Sequence, residues 1–534
     1  MVGGRTVAGW LPTLGVVAAL VGVPTALLSS QTRDWSPDDR AILGDFTRVT
    51  AVAVSRDRVY AATPSSLAEL DPTTHRWRGP WQSPDPTALQ DVALAFADPL
   101  DGGVWLVRRA GWLRFDPGIR LWEQGTVPGA VQEAALDQSA PGGGLFLRTT
   151  AGWYIAQRGG LALPGRAPAR PTHAATVADA VRSNPAIQAN SAALIPNFRL
   201  HTVRYTAAAR SQGFTGMGWY LGTSGAGLLY VPDGAPIPQP ILFGLPSGAV
   251  DAVYAGPAGV WVVTERTASS DPALSYVAAD FGNFQWFQGP RATGLPFVQA
   301  RRVLGRDSDL WLATDAGVVR ITPQSNDYVR YDAGRGLPDQ LILDIAQRRG
   351  RIVVATAHGL ASFSDSGGFR QVAPRFTDPA YAVELSGDTI WVGTRLGLFV
   401  SIPGDSDLVQ PPALQESVAM QTKVVDLAWR ADTLVALLTD RLLWRDPRTG
   451  RYALGPLLGN ALGRLHTVVS GRSALYVAGD QGIGAAVLNS PILRPFTAPG
   501  DLPGQVTDLA VDDTYLWVAT LNGLVRFRLD AIGP

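Results

Sequence analysis

Short apolar runs separated by glycine-bearing turns recur along the chain. Three segments align without gaps: Leu310-Trp311-Leu312-Ala313-Thr314-Asp315-Ala316-Gly317-Val318-Val319-Arg320, Ile390-Trp391-Val392-Gly393-Thr394-Arg395-Leu396-Gly397-Leu398-Phe399-Val400, and Leu516-Trp517-Val518-Ala519-Thr520-Leu521-Asn522-Gly523-Leu524-Val525-Arg526. Each reads apolar, aromatic, apolar, small, Thr, a two-residue turn, Gly, then a second apolar run. Weaker copies centre on Tyr60, Trp105, Phe146, Tyr220, Trp261, Val353, Val435 and Tyr476, mostly about 38 to 50 residues apart. Apolar runs of this length around a Gly turn predict hairpins buried on both faces. Such hairpins suit blades that stack face to face. Ala313, Gly393 and Ala519 suit a crowded place near a ring axis, and Trp311, Trp391 and Trp517 are expected in the core. Asp71-Pro72, Asp116-Pro117 and Asp446-Pro447 are expected to start turns.

A second signature lies between the hairpins. Gly244-Leu245-Pro246, Gly294-Leu295-Pro296, Gly336-Leu337-Pro338 and Asp501-Leu502-Pro503 each precede a strand of the type Val506-Thr507-Asp508-Leu509-Ala510-Val511. This link, followed by a strand and then Leu-Trp-Leu-Ala-Thr with its Gly turn, resembles the β-propeller repeat in the sensor regions of hybrid two-component regulators. The resemblance covers roughly residues 41–530, clear in the later repeats and degenerate in the first few. It implies a propeller and carries no ligand site, because that family varies its loops.

The expected fold is all-β: a β-propeller of about eleven four-stranded repeats, preceded by one N-terminal transmembrane helix. Propellers usually hold four to eight blades, so two rings are expected. The last repeat supplies three strands, and Ile42 to Phe46 resembles its missing fourth. A shared blade of that kind hides both sheet edges. An Ala-rich insert, Thr172 to Ala193 with Pro185 inside, interrupts the repeats at about 160–200. It reads as a broken helical arm, either packed on the ring or free to hold a partner.

Val7 to Leu28 carries no charge, and its 22 residues would span roughly 33 Å as a helix, enough for a bilayer core. The expected anchor is residues 1–30, with Trp10, Leu14, Val17, Leu20, Leu27, Leu28 and Trp35 facing lipid or its interface, and 31–41 as linker. Arg5 and the start amine precede the segment and a net negative stretch follows it, which places residues 42–530 on the periplasmic side of the inner membrane. A cleaved signal peptide is the competing reading.

Composition narrows the function. With 45 basic and 45 acidic residues the chain has no whole-molecule field for nucleic acid, so none is expected as a partner. There is no Cys and there are five scattered His, which removes disulfides and thiolate sites. No cofactor, metal or catalytic residue is expected. Gly222-Thr223-Ser224-Gly225-Ala226-Gly227 looks like a phosphate loop but falls inside a repeat hairpin. Asp405, Asp407 and Glu416 match three places of a calcium loop, yet Val409 and Gln410 break it. Arg348, Arg349 and Arg351 form a basic cluster, as do Arg301 and Arg302, either a solvated turn or a contact for anionic lipid or an acidic partner.

The leading expectation is a non-catalytic, membrane-tethered scaffold whose partners are integral membrane proteins of a larger complex and, through its N-terminal helix, the lipid bilayer. The linker, at most ~50 Å when extended, keeps the ring near the membrane. The chain also looks like a membrane-extrinsic subunit of a bacterial photosynthetic reaction-centre and light-harvesting complex; no motif carries that likeness, which implies a structural role. Two alternatives stand beside it: a ligand-sensing propeller that works with a separate signalling partner, and a periplasmic propeller enzyme.

Overall fold

The computed structural model describes residues 35–533 apart from 86, 138–143, 191–201, 212–216, 268–269, 291–292, 366, 403, 405, 416–420, 447, 489–492 and 499. The expected span Val7–Leu28, with Trp10, Leu14, Val17, Leu20, Leu27 and Leu28, lies outside the described residues, as do Asp405 and Glu416. Among the described residues no helix is long and apolar enough to cross a membrane.

Those residues form eleven four-stranded antiparallel sheets. In chain order, blade 1 spans 51–81, blade 2 92–126, blade 3 131–165, blade 4 205–241, blade 5 250–287, blade 6 300–331, blade 7 342–372, blade 8 380–409, blade 9 424–457, blade 10 465–497 and blade 11 506–528. Blade 11 takes its outer strand from Arg40–Leu43, which pairs antiparallel with Gly523–Arg528. The expected strand at Ile42 to Phe46 is therefore shifted toward the N-terminus. The chain turns at Gly44 so that Asp45 can pair with Leu245, and Phe46 enters the core between the rings.

Each conserved letter of the repeat has a local task. The threonine hydroxyl closes the hairpin turn: Thr314 Oγ1 donates to the Gly317 carbonyl at 2.6 Å and accepts from the Ala316 amide at 3.1 Å. Thr356, Thr394 and Thr520 repeat this arrangement. Gly317 has φ +106°, and a Cβ there would stand 2.1 Å from the Tyr331 carbonyl of the fourth strand, so both backbone angle and space demand glycine. In the Gly-Leu-Pro link the glycine again turns the chain, at φ +91° for Gly336, and the leucine plugs the joint between blades. Leu245, Leu295, Leu337 and Leu502 are all buried, as are Trp311, Trp391 and Trp517. The Asp-Pro pairs make Asx turns, with Asp71 Oδ1 accepting from the amides of Thr73 and Thr74.

The blades divide into two rings. The first strands of blades 5 to 11 pack on one another in sequence, and blade 11 returns to blade 5, which closes a seven-bladed ring. Thr507 seals that joint by donating to the Val250 carbonyl at 2.6 Å. The first strand of blade 4 likewise returns to that of blade 1, with Thr206 donating to the Val49 carbonyl. Blades 2 and 3 share one apolar cluster around Trp105, Trp112, Leu136 and Leu145. Between blades 3 and 4 stands the insert. Thr172 exchanges backbone hydrogen bonds with Leu136 of blade 3, at 2.7 and 2.9 Å. Two short helices follow, α1 (Val177–Ser183) and α2 (Pro185–Ala189). Thr176 and Asp179 form a capping box at α1, Asn184 caps α2, and Pro185 begins the second helix; proline fits a first helical turn. Ala180 and Ile187 bury themselves against Ala208, Trp219 and Leu221 of blade 4. The insert thus packs on its neighbours.

The smaller ring is itself an insertion in the larger one, placed between the outer strand of blade 11 and blade 5. The two crossing segments run side by side as a parallel bridge, Asp45 with Leu245. One apolar cluster spans the junction, joining Leu43, Phe46, Tyr220 and Phe243 to Val253, Phe281 and Trp517.

Candidate ligand site between the rings

Two places concentrate charge inside the protein. The first is the axis of the seven-bladed ring. The strand type Val-Thr-Asp-Leu carries its aspartate at one repeat position, occupied by Asp344, Asp426 and Asp508, with Arg302 there in blade 6. Each aspartate accepts the backbone amide of a following blade: Asp344 from Val383 at 2.8 Å, Asp426 from Val468 at 2.8 Å, Asp508 from Val253 at 3.1 Å. Arg302 reaches across the axis to Asp426 at 2.6 Å, to Asp344 at 3.5 Å, and to Asp508. Every member is used by the ring itself, so this cluster is a clasp, and Arg302, expected with Arg301 at a solvated turn or a lipid or partner contact, is turned inward onto the three aspartates. Burial raises the pKa of Asp508 to about 6 despite Arg302, and that of Glu384, beside Asp344, to about 8. In the sequence these aspartates show only as one register of a strand type: Val-x-Asp-Leu at Asp426 and Asp508, and Ile342-Leu343-Asp344-Ile345 as a looser copy. Among the described residues no three His, Cys, Asp or Glu are grouped so as to hold a metal ion.

The second place is the cleft where the rings meet, a cavity of about 580 Å³. Blade 1 contributes Arg76, Trp77 and Arg78, blade 2 Arg120, blade 5 Phe281, and blade 11 Arg526. Trp77 is fixed across the junction: its indole N–H donates to the Leu242 carbonyl at 2.9 Å and its amide to the Gly282 carbonyl at 3.3 Å. The four carboxylates of the wall are occupied, Asp71 by the amides of its own turn and the others by arginines. Asp280 pairs with Arg76 at 2.5 Å, Asp38 with Arg120 at 3.0 Å, and Glu69 with Arg58 at 3.1 Å.

Arg526 differs. It is only 9% exposed. Its guanidinium donates to the Ala279 carbonyl and lies 4.4 Å from the Phe281 ring centroid and 4.6 Å from that of Tyr515. Among the described residues no carboxylate lies within 4.0 Å of it. Burial holds its pKa below the ordinary guanidinium value. Repeat register makes the contrast internal. Arg114, Arg320 and Arg526 each pair across strands with the repeat tryptophan, Trp105, Trp311 and Trp517. Arg114 meets Asp98 at 3.4 Å, Glu123 at 3.6 Å, and Asp101. Arg320 meets Asp309 at 3.6 Å. In blade 11 the residue matching Asp98 is Asp512, which is taken by the Trp517 indole at 2.8 Å and by two backbone amides. The third strands do not set Arg526 apart, since Gly317–Thr322 around Arg320 also holds no acid; only the contacts of the folded blades do.

The residues singled out from sequence lie elsewhere. Trp35, expected at a membrane interface, packs on Phe496 and Phe527 with its indole donating to Asp501 at 2.9 Å. An aromatic with one polar edge suits a protein groove as well as a lipid boundary. Arg348 and Arg351 brace the neighbouring blade, donating to the Leu385 and Asp388 carbonyls, both at 3.0 Å. Arg349 is exposed at the turn between them. The glycine-rich segment 222–227 is a hairpin turn closed by Thr223.

No family model matches the chain, and no curated protein matches it. Solved structures do. The extracellular domain of the putative hybrid two component system BT4673 from B. thetaiotaomicron is 14% identical, with TM-score 0.42, over 90% of this chain and 64% of that one. This chain therefore spans less than two thirds of that domain. Virginiamycin B lyase from Staphylococcus aureus is 15% identical, with TM-score 0.42, over 53% of this chain and 95% of that one. The Pan2 WD40 domain of Neurospora crassa is 14% identical, with TM-score 0.40, over 53% and 89%. This protein is a β-propeller repeat protein. None of the three structures lends it a site, and the functional reading rests on its own residues.

Proposed function

We propose that this protein is a ligand-recognition propeller in which the inter-ring cleft takes a small molecule and a separate signalling partner reads its occupancy. One observation carries the reading: the cleft is walled by four blades drawn from both rings. A molecule seated there touches both rings at once, so its binding energy is spent on their relative placement. A state that binds better is a state that becomes more populated. The cavity lies within the usual range for small-molecule sites, about 300 to 1,000 Å³, and sets four arginines and four carboxylates beside Trp77, Trp81 and Phe281.

The test is a fragment screen on the full chain in mild detergent by ligand-observed NMR, with binders mapped by hydrogen–deuterium exchange. The expected result is protection confined to 74–81, 278–282 and 524–528. Binders that protect only the open faces of the rings would overturn the reading. So would a chain that binds nothing in the cleft yet purifies in fixed ratio with integral membrane proteins, an outcome that would favour a periplasmic, membrane-anchored scaffold.

A further inference from the structure

We infer that the cleft recognises an oxyanion, a carboxylate or phosphate group carried on a small flat body, and that Arg526 is the residue that holds it; this rests on the cleft being the ligand site. Three observations converge. Arg526 lines the cavity with a buried guanidinium whose hydrogen-bond contact is one backbone carbonyl. A guanidinium carries five donors in a rigid fork, so most of its capacity is unspent. The arginines at the same repeat position in blades 2 and 6 are matched by carboxylates, and this one is matched by none within 4.0 Å among the described residues. Finally, the acids nearest to it, Asp38, Asp280 and Asp512, act on it only from beyond 4.0 Å; Asp38 and Asp280 contact other arginines, Asp512 the Trp517 indole, and of the other lining acids Glu69 contacts Arg58 and Asp71 its own turn amides.

The physical argument follows from the cost of a desolvated charge. A buried cation without a counter-charge is expensive, and an anion that pairs with it recovers that cost. Phe281 and Tyr515 lie against the guanidinium, which fixes its plane and leaves the fork for bidentate contact with a planar oxyanion. Trp77, which also lines the cavity, offers an apolar wall for the body attached to the anion. A neutral isostere gains the wall and loses the fork.

The experiment compares benzoate, benzamide and inorganic phosphate on the full-length protein by ligand-observed NMR and thermal shift, with Arg526→Gln, Arg526→Lys and Arg320→Gln variants. Benzoate or phosphate should bind in preference to benzamide. Phosphate alone would identify the headgroup as sufficient, and benzoate alone would require the flat body. Arg526→Gln should weaken that binding about ten- to a hundredfold, the worth of a charge-assisted hydrogen bond. Arg526→Lys should retain part of it, and Arg320→Gln should leave it unchanged. Equal binding of benzoate and benzamide in the cleft, indifferent to Arg526→Gln, would overturn the inference and leave the cleft as a ligand site. Absence of cleft protection with every probe would remove both. If Arg526→Gln does not fold, the Lys variant and the benzoate–benzamide difference in the unaltered protein still decide.

Discussion

The two rings use the same repeat and hold themselves together differently. In the seven-bladed ring the axial repeat position carries Arg302, Asp344, Asp426 and Asp508, which lock four blades across the centre. In the smaller ring the matching positions are Ala51, Leu94, Glu133 and Ala207. Glu133 there pairs outward with exposed Arg148 at 3.3 Å, so no clasp forms among them. The smaller ring has a helical insert where one blade meets the next, and its final joint is sealed by Thr206. A ring of many blades has a wide axis that polar groups can bridge. In the smaller ring three of the four matching positions are apolar, and the fourth, Glu133, is paired within its own blade by Arg148.

The contrast can be broken most sharply at Arg302. Arg302→Met leaves aspartates buried without their cation, and breaking a buried charge network costs about 3–5 kcal/mol. Arg148→Ala, in the smaller ring, removes an exposed pair worth about 0–1 kcal/mol. Urea titrations of both variants should show a large drop in midpoint for the first and almost none for the second; equal drops would refute the clasp.

Ring closure gives the next largest difference. Leu43 is 0% exposed in the strand that completes blade 11. Leu43→Ala should cost about 3 kcal/mol through the cavity it leaves. Thr206→Val, at the seal of the smaller ring, should cost about 1 kcal/mol for one hydrogen bond. Thermal melts of the pair measure this, and a reversed order would show that the smaller ring depends on its seal more than the larger on its borrowed strand.

The two rings should also differ in their response to pH. The pKa of Glu384 is raised to about 8 by burial first and by Asp344 second, with Asp426 adding to the rise and Arg302 opposing it. Asp508 is raised to about 6 by burial, against Arg302. Burial lowers the pKa of His466, with Arg302 adding to the fall and Asp480 and Asp426 opposing it. An acid with a raised folded-state pKa favours the protonated fold. Its contribution is full below its unfolded pKa, near 4, and is lost as pH rises toward 8. Glu384 and Asp508, with Asp344, which burial raises to about 7 against Arg302, should therefore make the melting temperature fall between about pH 4 and 8. His466 opposes this only up to about pH 6.5, the ordinary histidine value, and Glu384→Gln should flatten the upper part of that fall. An unchanged slope would remove Glu384 from the axial group. No such slope is expected from Ala51, Leu94 or Ala207, which do not titrate.

Some of this was readable in the chain. The Thr–Gly hairpin, the buried tryptophans and the Gly-Leu-Pro plug act within one blade or against the next, so each leaves its mark at a fixed spacing. Thr314 needs only Gly317, three residues on, and Leu337 needs only the joint it enters. A fourth strand missing from the last repeat also pointed to the start of the chain, though the pairing falls at Arg40–Leu43.

Other features depended on what the blades met. The same blade sequence serves a ring of four or of seven, because the division is made by which first strands return to which, Thr206 to Val49 and Thr507 to Val250. Arg526 occupies an ordinary repeat position, and sequence alone gives it the role of Arg114 and Arg320. It has no carboxylate in contact because blade 11 faces the turn of blade 5 and a cleft walled by the other ring, where its guanidinium meets the Ala279 carbonyl and Phe281. Local hydrogen bonds and apolar spacing are short-range and are written along the chain. Charge balance at a junction is set by groups hundreds of residues apart, and the folded arrangement alone decides which of them meet.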